Sequence, residues 1–285
     1  YEINFRNITF DATNFNDKTA YSWVPINKGG AFRRYYGNYE YVIDIYDLWN
    51  TPSMVNESVR RSEPEYYFKQ ALTWSYVTTG KSSFRITENK TSATASPNLF
   101  FYDERELYYA LAFTNCCIAQ NYLDLLNPTI NLNVTNVSTL PLIDCAHKDD
   151  IVTLCKENIS LAKRDWDSFE TSWDFLRDPL VISTTKIQEA CELWIKKCEE
   201  AASKLKKNEE LINSYFLQAY NLENEISPEV EEKYVTIQVP DQGRVIRNFI
   251  SYAVGCMFGR YSVTQDGIVF AGGEWEEARY EKIMP

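Results

Sequence analysis

The chain has 285 residues, 45% of them hydrophobic and 15% aromatic, and a formal net charge of −11. That apolar content excludes wholesale disorder, and no run reaches the roughly 18–20 uncharged apolar residues of a membrane span. The acidic balance also argues against a simple nucleic-acid coat, because phosphate contacts need Lys and Arg.

At about 150 residues per domain the length predicts about two domains. The chain opens at Tyr1 with no basic segment and apolar run behind it, and it reads as a piece cut from something longer. Residues 1–146 read as an α+β domain. Tyr39 to Ile45 and Asn98 to Tyr102 are aromatic and β-branched, which suits strands. Leu107 to Leu126 carries apolar residues at helical spacing and stops at Asn127-Pro128. Ile130 to Val134 then alternates like a half-buried strand.

From about residue 147 the period changes. Val152, Cys155, Ile159, Ala162, Trp166, Phe169 and Trp173 step by three and four, until Asp178-Pro179 stops the helix. A second run starts after a candidate N-cap at Ser183 or Thr184. It passes through Ile187, Cys191, Trp194, Cys198, Ala201, Leu205, Asn208, Ile212, Tyr215, Ala219 and Leu222. Such a 3.5-residue repeat specifies a helical seam, here about 54 Å long at ~1.5 Å per residue. The short link between the runs predicts an antiparallel hairpin over 147–227, with Asn208 as a register-fixing polar position. Ser227-Pro228 ends it, Tyr234 to Val239 alternates like a strand, and 228–285 forms a small C-terminal extension, truncated at Pro285, or a return onto the rod.

The seven cysteines form no C-x-x-C pair and His147 is the only histidine, so no metal site is expected. They read as reduced core thiols of a cytoplasmic protein. Six N-x-S/T sequons, among them Asn133 and Asn158, would suit a secreted glycoprotein, but with an odd cysteine count chance matches in an Asn-containing chain are the better reading.

Splitting the charge is informative. Residues 1–146 hold 12 basic and 15 acidic residues, 147–227 hold 11 and 16, and 228–285 hold 6 and 9. Two windows of the first domain contain no acid: Lys18 to Tyr39, with Lys28, Arg33 and Arg34, and Tyr66 to Thr87, with Lys69, Lys81 and Arg85. Both interleave bases with aromatic residues, glycines and hydroxyls. Arg reads guanine and Asn reads adenine bidentately, while Ser and Thr contact phosphate. Candidate DNA-binding residues are therefore Asn27, Lys28, Arg33, Arg34, Ser75, Thr78, Lys81 and Arg85. The plainer reading of both windows is a pair of glycine-containing surface loops.

No G-x-G-x-x-G, P-loop, G-x-S-x-G or H-E-x-x-H occurs, and Cys116-Cys117 has no neighbouring base in sight, so no catalytic or cofactor-binding residue is assigned. The run WVPINKGGAFRRYYGN from Trp23 to Asn38 resembles the segment after the catalytic domain of BREX phage-defence adenine-specific DNA methyltransferases of the PglX type. Three further stretches match in order: Tyr66 to Ser75, Arg164 to Phe175, and Ser251 to Ser262. Asn127 to Asn136 with Leu140-Pro141-Leu142 also resembles the end of a target-recognition domain in single-chain restriction–modification enzymes.

The resemblance implies a target-recognition domain over 1–146, followed by a helical spacer. It implies S-adenosylmethionine as cofactor of the parent enzyme, with the glycine motif and the Asn/Asp-Pro-Pro-Tyr/Phe motif lying before this region. The implied partners are double-stranded DNA, the parent's own N-terminal catalytic domain and other defence-system subunits, with no membrane. The competing reading is a non-catalytic scaffold that binds protein partners through the acidic rod.

Overall fold

The computed structural model of the protein describes residues 23–44, 64–127, 129–182, 186–272, 275 and 277–280. Lys18 to Ser22, Ile45, Pro128 and the candidate caps Ser183 and Thr184 lie outside the described residues. The class is α+β: small three-stranded sheets combine with helices that include one of 34 residues. Contacts divide the chain into two compact units, and the division runs through both long helices.

The unit that holds the described residues up to Lys163 and Lys204–Thr236 contains both sheets. In the first, β1 (Trp23–Asn27) pairs antiparallel with β2 (Tyr41–Asp44) in the register Val24↔Ile43. In the second, β3 (Ala71–Trp74) lies between β4 (Phe84–Thr87) and a short strand, Asn98–Leu99. Thr91–Ser92 adds a parallel β5 to β1, which makes Asn98–Leu99 β6. The expected strand at Asn98 is short because the chain turns at once into α1 (Glu104–Asn115), whose first turn is capped by the Asp103 carboxylate accepting from Arg105 N–H at 2.8 Å.

Register sorts the second sheet into two faces. Leu72, Trp74, Phe84, Ile86 and Leu99 share one, and Thr73, Arg85, Thr87 and Asn98 share the other. Trp74 and Phe84 are fully buried with ring centroids 5.7 Å apart, and the Trp74 indole donates to the Leu132 carbonyl at 2.9 Å. Each such apolar side chain contributes roughly 1.5–3 kcal/mol by leaving water.

The helix expected from Leu107 to Leu126 is two helices, α1 and α2 (Cys117–Leu126). Cys116 between them is extended, at φ −76° and ψ 162°. Neither Gly nor Pro marks the break. Long-range polar contacts hold it: the Asn115 amide pairs with both backbone groups of Phe84, and the Asn213 side chain accepts from Cys117 N–H at 3.0 Å. The expected strand near Ile130 is a single bridge, Asn131 to Val77, followed by α3 (Val134–Ser138).

The first long helix, α4 (Lys148–Asp167), ends six residues before Trp173. Ser168 donates to the Asp165 carbonyl and Ser172 to the Asp167 carboxylate, so local side-chain bonds displace the helical ones. The second, α5 (Ile187–Tyr220), spans about 51 Å. It stops at Asn221, which sits at φ 55°, while Leu222 N–H reaches back to Leu217. That is a Schellman cap with Asn in the glycine position, well before Ser227-Pro228. His147 stacks on Tyr215 and Asn158 bonds Asn208, so numbers fall along α5 as they rise along α4 and the helices run antiparallel. Asn208 is the register residue the repeat suggests, donating to Glu157 and Asn158, both at 2.9 Å.

The other unit holds Arg164–Ser203 and the described residues from Ile237 onward. Val235 to Ile237 is buried but forms no strand. After it, α6 (Gln242–Met257), capped by Asp241, places Val245 against Leu180, Ala190 and Cys191. The tail thus returns onto the first half of α5. Phe175, Tyr252 and Tyr261 form an aromatic trio, and a Cβ at Gly255 would stand 2.6 Å from the Tyr261 ring, so only glycine permits this approach.

All seven cysteines are free thiols, with Cys116, Cys155, Cys191 and Cys198 buried. Burial pushes Cys117 and Cys198 up to about 11, and Cys116 and Cys155 beyond the thiol range. Iodoacetamide at pH 8 is therefore expected to leave Cys116 and Cys155 unmodified until the chain unfolds. Peptide mass spectrometry checks this, and equal labelling of native and unfolded protein would contradict the packing.

Candidate nucleic-acid interface

The two acid-free windows, some 45 residues apart in sequence, meet in space. Ser75 Oγ donates to the Gly30 carbonyl at 3.0 Å, and Arg33 N–H donates to Ser83 Oγ at 3.0 Å. Tyr35 then forms a parallel bridge with Arg85, its N–H on the Phe84 carbonyl and its own carbonyl accepting from Ile86. The segment from Lys28 to Tyr39 thereby covers the free edge of β4.

Its backbone needs unusual angles. Gly29, Gly30, Tyr35, Gly37 and Asn38 all have positive φ, and a bulky aromatic residue there is a strained exception. At Gly29, φ is 81° and a Cβ would stand 2.9 Å from the Ala95 carbonyl oxygen. Gly29→Ala is therefore expected to destabilise the unit by more than about 1 kcal/mol. Urea unfolding checks it, and an unchanged midpoint would mean that this turn relaxes freely.

The eight candidates separate by burial. Lys28 is exposed, with its ammonium 5.1 Å from the centre of the Tyr41 ring. Arg33, Ser75, Thr78 and Lys81 are half-buried, and Thr78 Oγ1 accepts from Gly80 N–H at 3.4 Å in a tight hydroxyl turn. Asn27, Arg34 and Arg85 are buried. Asn27 donates to Thr73 Oγ1 at 2.8 Å, tying the end of β1 to the polar face of the second sheet.

Arg34 turns inward to Glu209 on α5, Nη1 to Oε2 at 2.9 Å, with the two side chains only 6% and 3% exposed. Burial works against the Arg34 charge, but the Glu209 carboxylate holds it above the ordinary arginine value. Burial pushes the Glu209 carboxyl up while Arg34 opposes the shift. Because arginine does not surrender its proton, the pair stands as an ion pair. Arg34 and Glu209 therefore hold this segment to α5, and Arg34 does not face solvent as Lys28 does.

One group was invisible in the sequence. Tyr234, some 150 residues from the second window, lies beneath the Lys81 ammonium at 4.5 Å and against the Phe32 ring at 5.6 Å. Lys233 stands 4.9 Å from the same ring. No local pattern marks these residues, because only the return of the chain along α5 brings them here. Lys28, Arg33 and Lys81, with the Ser75 and Thr78 hydroxyls and the Tyr234 ring, offer cations, donors and an aromatic face, the groups that contact phosphate and bases.

Among the described residues no cluster of metal-ligating side chains occurs, and no helix is long and apolar enough to cross a membrane. No family model matches the chain. It is 33% identical over 307 aligned positions, covering all of this chain, to the adenine-specific methyltransferase PglX of Lacticaseibacillus casei (strain Zhang). It is 28% identical over 270 positions, covering 87% of this chain, to the adenine-specific methyltransferase BrxX of Escherichia coli O9:H4 (strain HS). The chain spans 25% and 22% of the lengths of these relatives. The resemblance read from Trp23 to Asn38 and the three later stretches thus extends over the whole chain, which is a relative of the PglX-type adenine-specific methyltransferases of BREX systems.

Proposed function

We propose that this chain is the DNA sequence-recognition part of an S-adenosylmethionine-dependent adenine-N6 methyltransferase of a phage-defence system, acting in the cytoplasm. The observation that carries the reading is the meeting of the two acid-free windows through Ser75–Gly30 and Arg33–Ser83. It gathers Lys28, Arg33 and Lys81 onto one unit of a chain whose total charge is −11. These cations position the duplex through its phosphates, while a catalytic domain takes adenine out of the stack.

S-adenosylmethionine finds no cradle among the described residues. A glycine turn follows β1, but no helix follows the turn, and the carbonyl of Ala95 fills the space beside Gly29. Methyl transfer therefore belongs to a catalytic domain that these residues would serve, and α4 and α5 would act as a spacer toward that domain and other defence-system subunits. Fluorescence anisotropy with labelled duplex DNA tests the reading. Binding that weakens steeply with salt is expected, and no binding at low salt would overturn it.

A further inference from the structure

Lys28, Arg33 and Lys81, with the Ser75 and Thr78 hydroxyls, suit phosphate, and phosphate contacts carry no sequence information. A recognition part also needs side chains that reach base edges. The same unit presents such a pair.

Tyr76-Val77-Thr78 and Ile130-Asn131-Leu132 form a short antiparallel ribbon. Thr78 N–H donates to the Ile130 carbonyl at 2.9 Å, and Leu132 N–H donates to the Tyr76 carbonyl at 2.7 Å. Val77 and Asn131 stand opposite each other between these two bonds. In such a pair both side chains lie on one face, with Cβ atoms about 4.5–5.5 Å apart. Alternation sends the neighbouring Leu132 to the other face, where it is fully buried. Both strands are anchored from behind: the Trp74 indole donates to the Leu132 carbonyl, and Tyr76 N–H donates to the Ala95 carbonyl at 2.9 Å.

The outward face carries two groups of different chemistry. Val77 is 51% exposed. Asn131 is half-buried and its N–H is held by Thr129 Oγ1 at 3.3 Å, but its carboxamide makes no hydrogen bond among the described residues. Neither strand brings a negative charge to the ribbon. Val77 belongs to an acid-free window, and residues 125–143 contain no charged side chain at all. Beyond Val77 the chain passes through the Thr78–Gly80 hydroxyl turn into Lys81.

We infer that Val77 and Asn131 read bases in the major groove of DNA: Asn131 pairs with the N6 and N7 edge of an adenine, and Val77 packs on the 5-methyl group of a thymine in the same or the adjacent base pair. Base reading by this pair rests on the DNA-recognition proposal and adds to it the residues that select sequence. A two-stranded ribbon fits the width of the major groove. The carboxamide offers one donor and one acceptor in the spacing of the adenine edge, and an apolar side chain suits the thymine methyl. Thr78 and Lys81, at the turn of the same ribbon, meet the phosphates beside the groove.

Selection from a randomised duplex pool by the full chain, followed by sequencing of the bound duplexes, tests the pair. Wild type is expected to enrich a motif that contains an adenine–thymine pair. Asn131→Ala is expected to lose discrimination at one adenine of that motif by about 5- to 150-fold, with the other positions kept. Base analogues placed in the enriched duplex then probe each contact without a mutation. 7-Deazaadenine removes N7, and uracil removes the thymine methyl. Each is expected to weaken wild-type binding, uracil by about fourfold. Asn131→Ala should no longer respond to 7-deazaadenine at that position, and Val77→Ala should lose most of its response to uracil. Neither variant should flatten the salt dependence, because neither side chain neutralises a phosphate.

A motif that both variants keep in full, or analogue effects of equal size in wild type and variants, would overturn the assignment of these two residues while DNA recognition stands. Failure of wild type to bind any duplex would overturn both.

Discussion

Replacing Glu209 with Ala is expected to lower the free energy of unfolding by about 3–5 kcal/mol. The carboxylate is 3% exposed and its only ionic partner among the described residues is Arg34, at 2.9 Å. Removing it strands a guanidinium that cannot shed its proton and is 6% exposed. Geometry predicts what rescues the loss. Arg34 Nε and Glu209 Oε1 make no hydrogen bond, so the pair is joined through a single contact and leaves two buried polar atoms unsatisfied. Such a pair offsets little more than its own desolvation, and apolar side chains of similar volume replace it at small cost. Arg34→Met with Glu209→Leu is therefore expected to recover most of the stability lost by either single change. Equilibrium urea unfolding of the four proteins in a double-mutant cycle checks this. If Glu209→Ala costs under about 1 kcal/mol, or if the double substitution simply adds the two losses, the ion pair is not what holds this segment to α5.

The fate of these arginines shows where sequence reading stops. Absence of acid picked out two windows that the fold brings together, because local charge is a local property. It could not say which bases face water. Arg33 and Arg34 are adjacent, yet the first is half-buried and the second turns inward to a helix 175 residues away. Arg85 sits in Phe84-Arg85-Ile86-Thr87, an alternation that normally turns its polar face to solvent. That face is buried instead, with Asn27 bonded to Thr73 across from Arg85 and Tyr35 bridged to the edge of β4, contacts that no short-range pattern encodes.

Helix periodicity behaved likewise. The repeat along α5 points to the long helix and its Asn208, but nothing in it sets Glu209 apart from the other acids of the rod. The break at Cys116 and the stop at Asn221 carry no local signal, because the first is held by Asn115 and Asn213 from across the fold, and the second uses Asn where glycine is the usual signal.

The adjacent arginines also provide the sharpest test of DNA recognition. Lys28→Ala/Arg33→Ala/Lys81→Ala removes one exposed and two half-buried cations and leaves the Arg34–Glu209 pair in place. If each contacts one phosphate, the slope of log K against log salt flattens by about 2.7. Wild type is then expected to lose about 40-fold more affinity than the variant between roughly 50 and 200 mM salt. The melting temperature of the variant should fall only modestly, since Lys28 is exposed and Arg33 and Lys81 are half-buried, with Lys81 giving up its contact with the Tyr234 ring.

Arg34→Ala is expected to do the reverse. It lowers stability by exposing the Glu209 carboxylate to burial without a partner, but leaves the salt slope of the folded fraction unchanged. Anisotropy titrations across the salt series, run beside thermal melts of the same preparations, read both effects. Wild-type DNA binding by the triple variant would remove these residues from the interface. A slope flattened as much by Arg34→Ala as by Arg33→Ala would mean that the inner arginine reaches DNA after all, and that the segment opens when DNA binds.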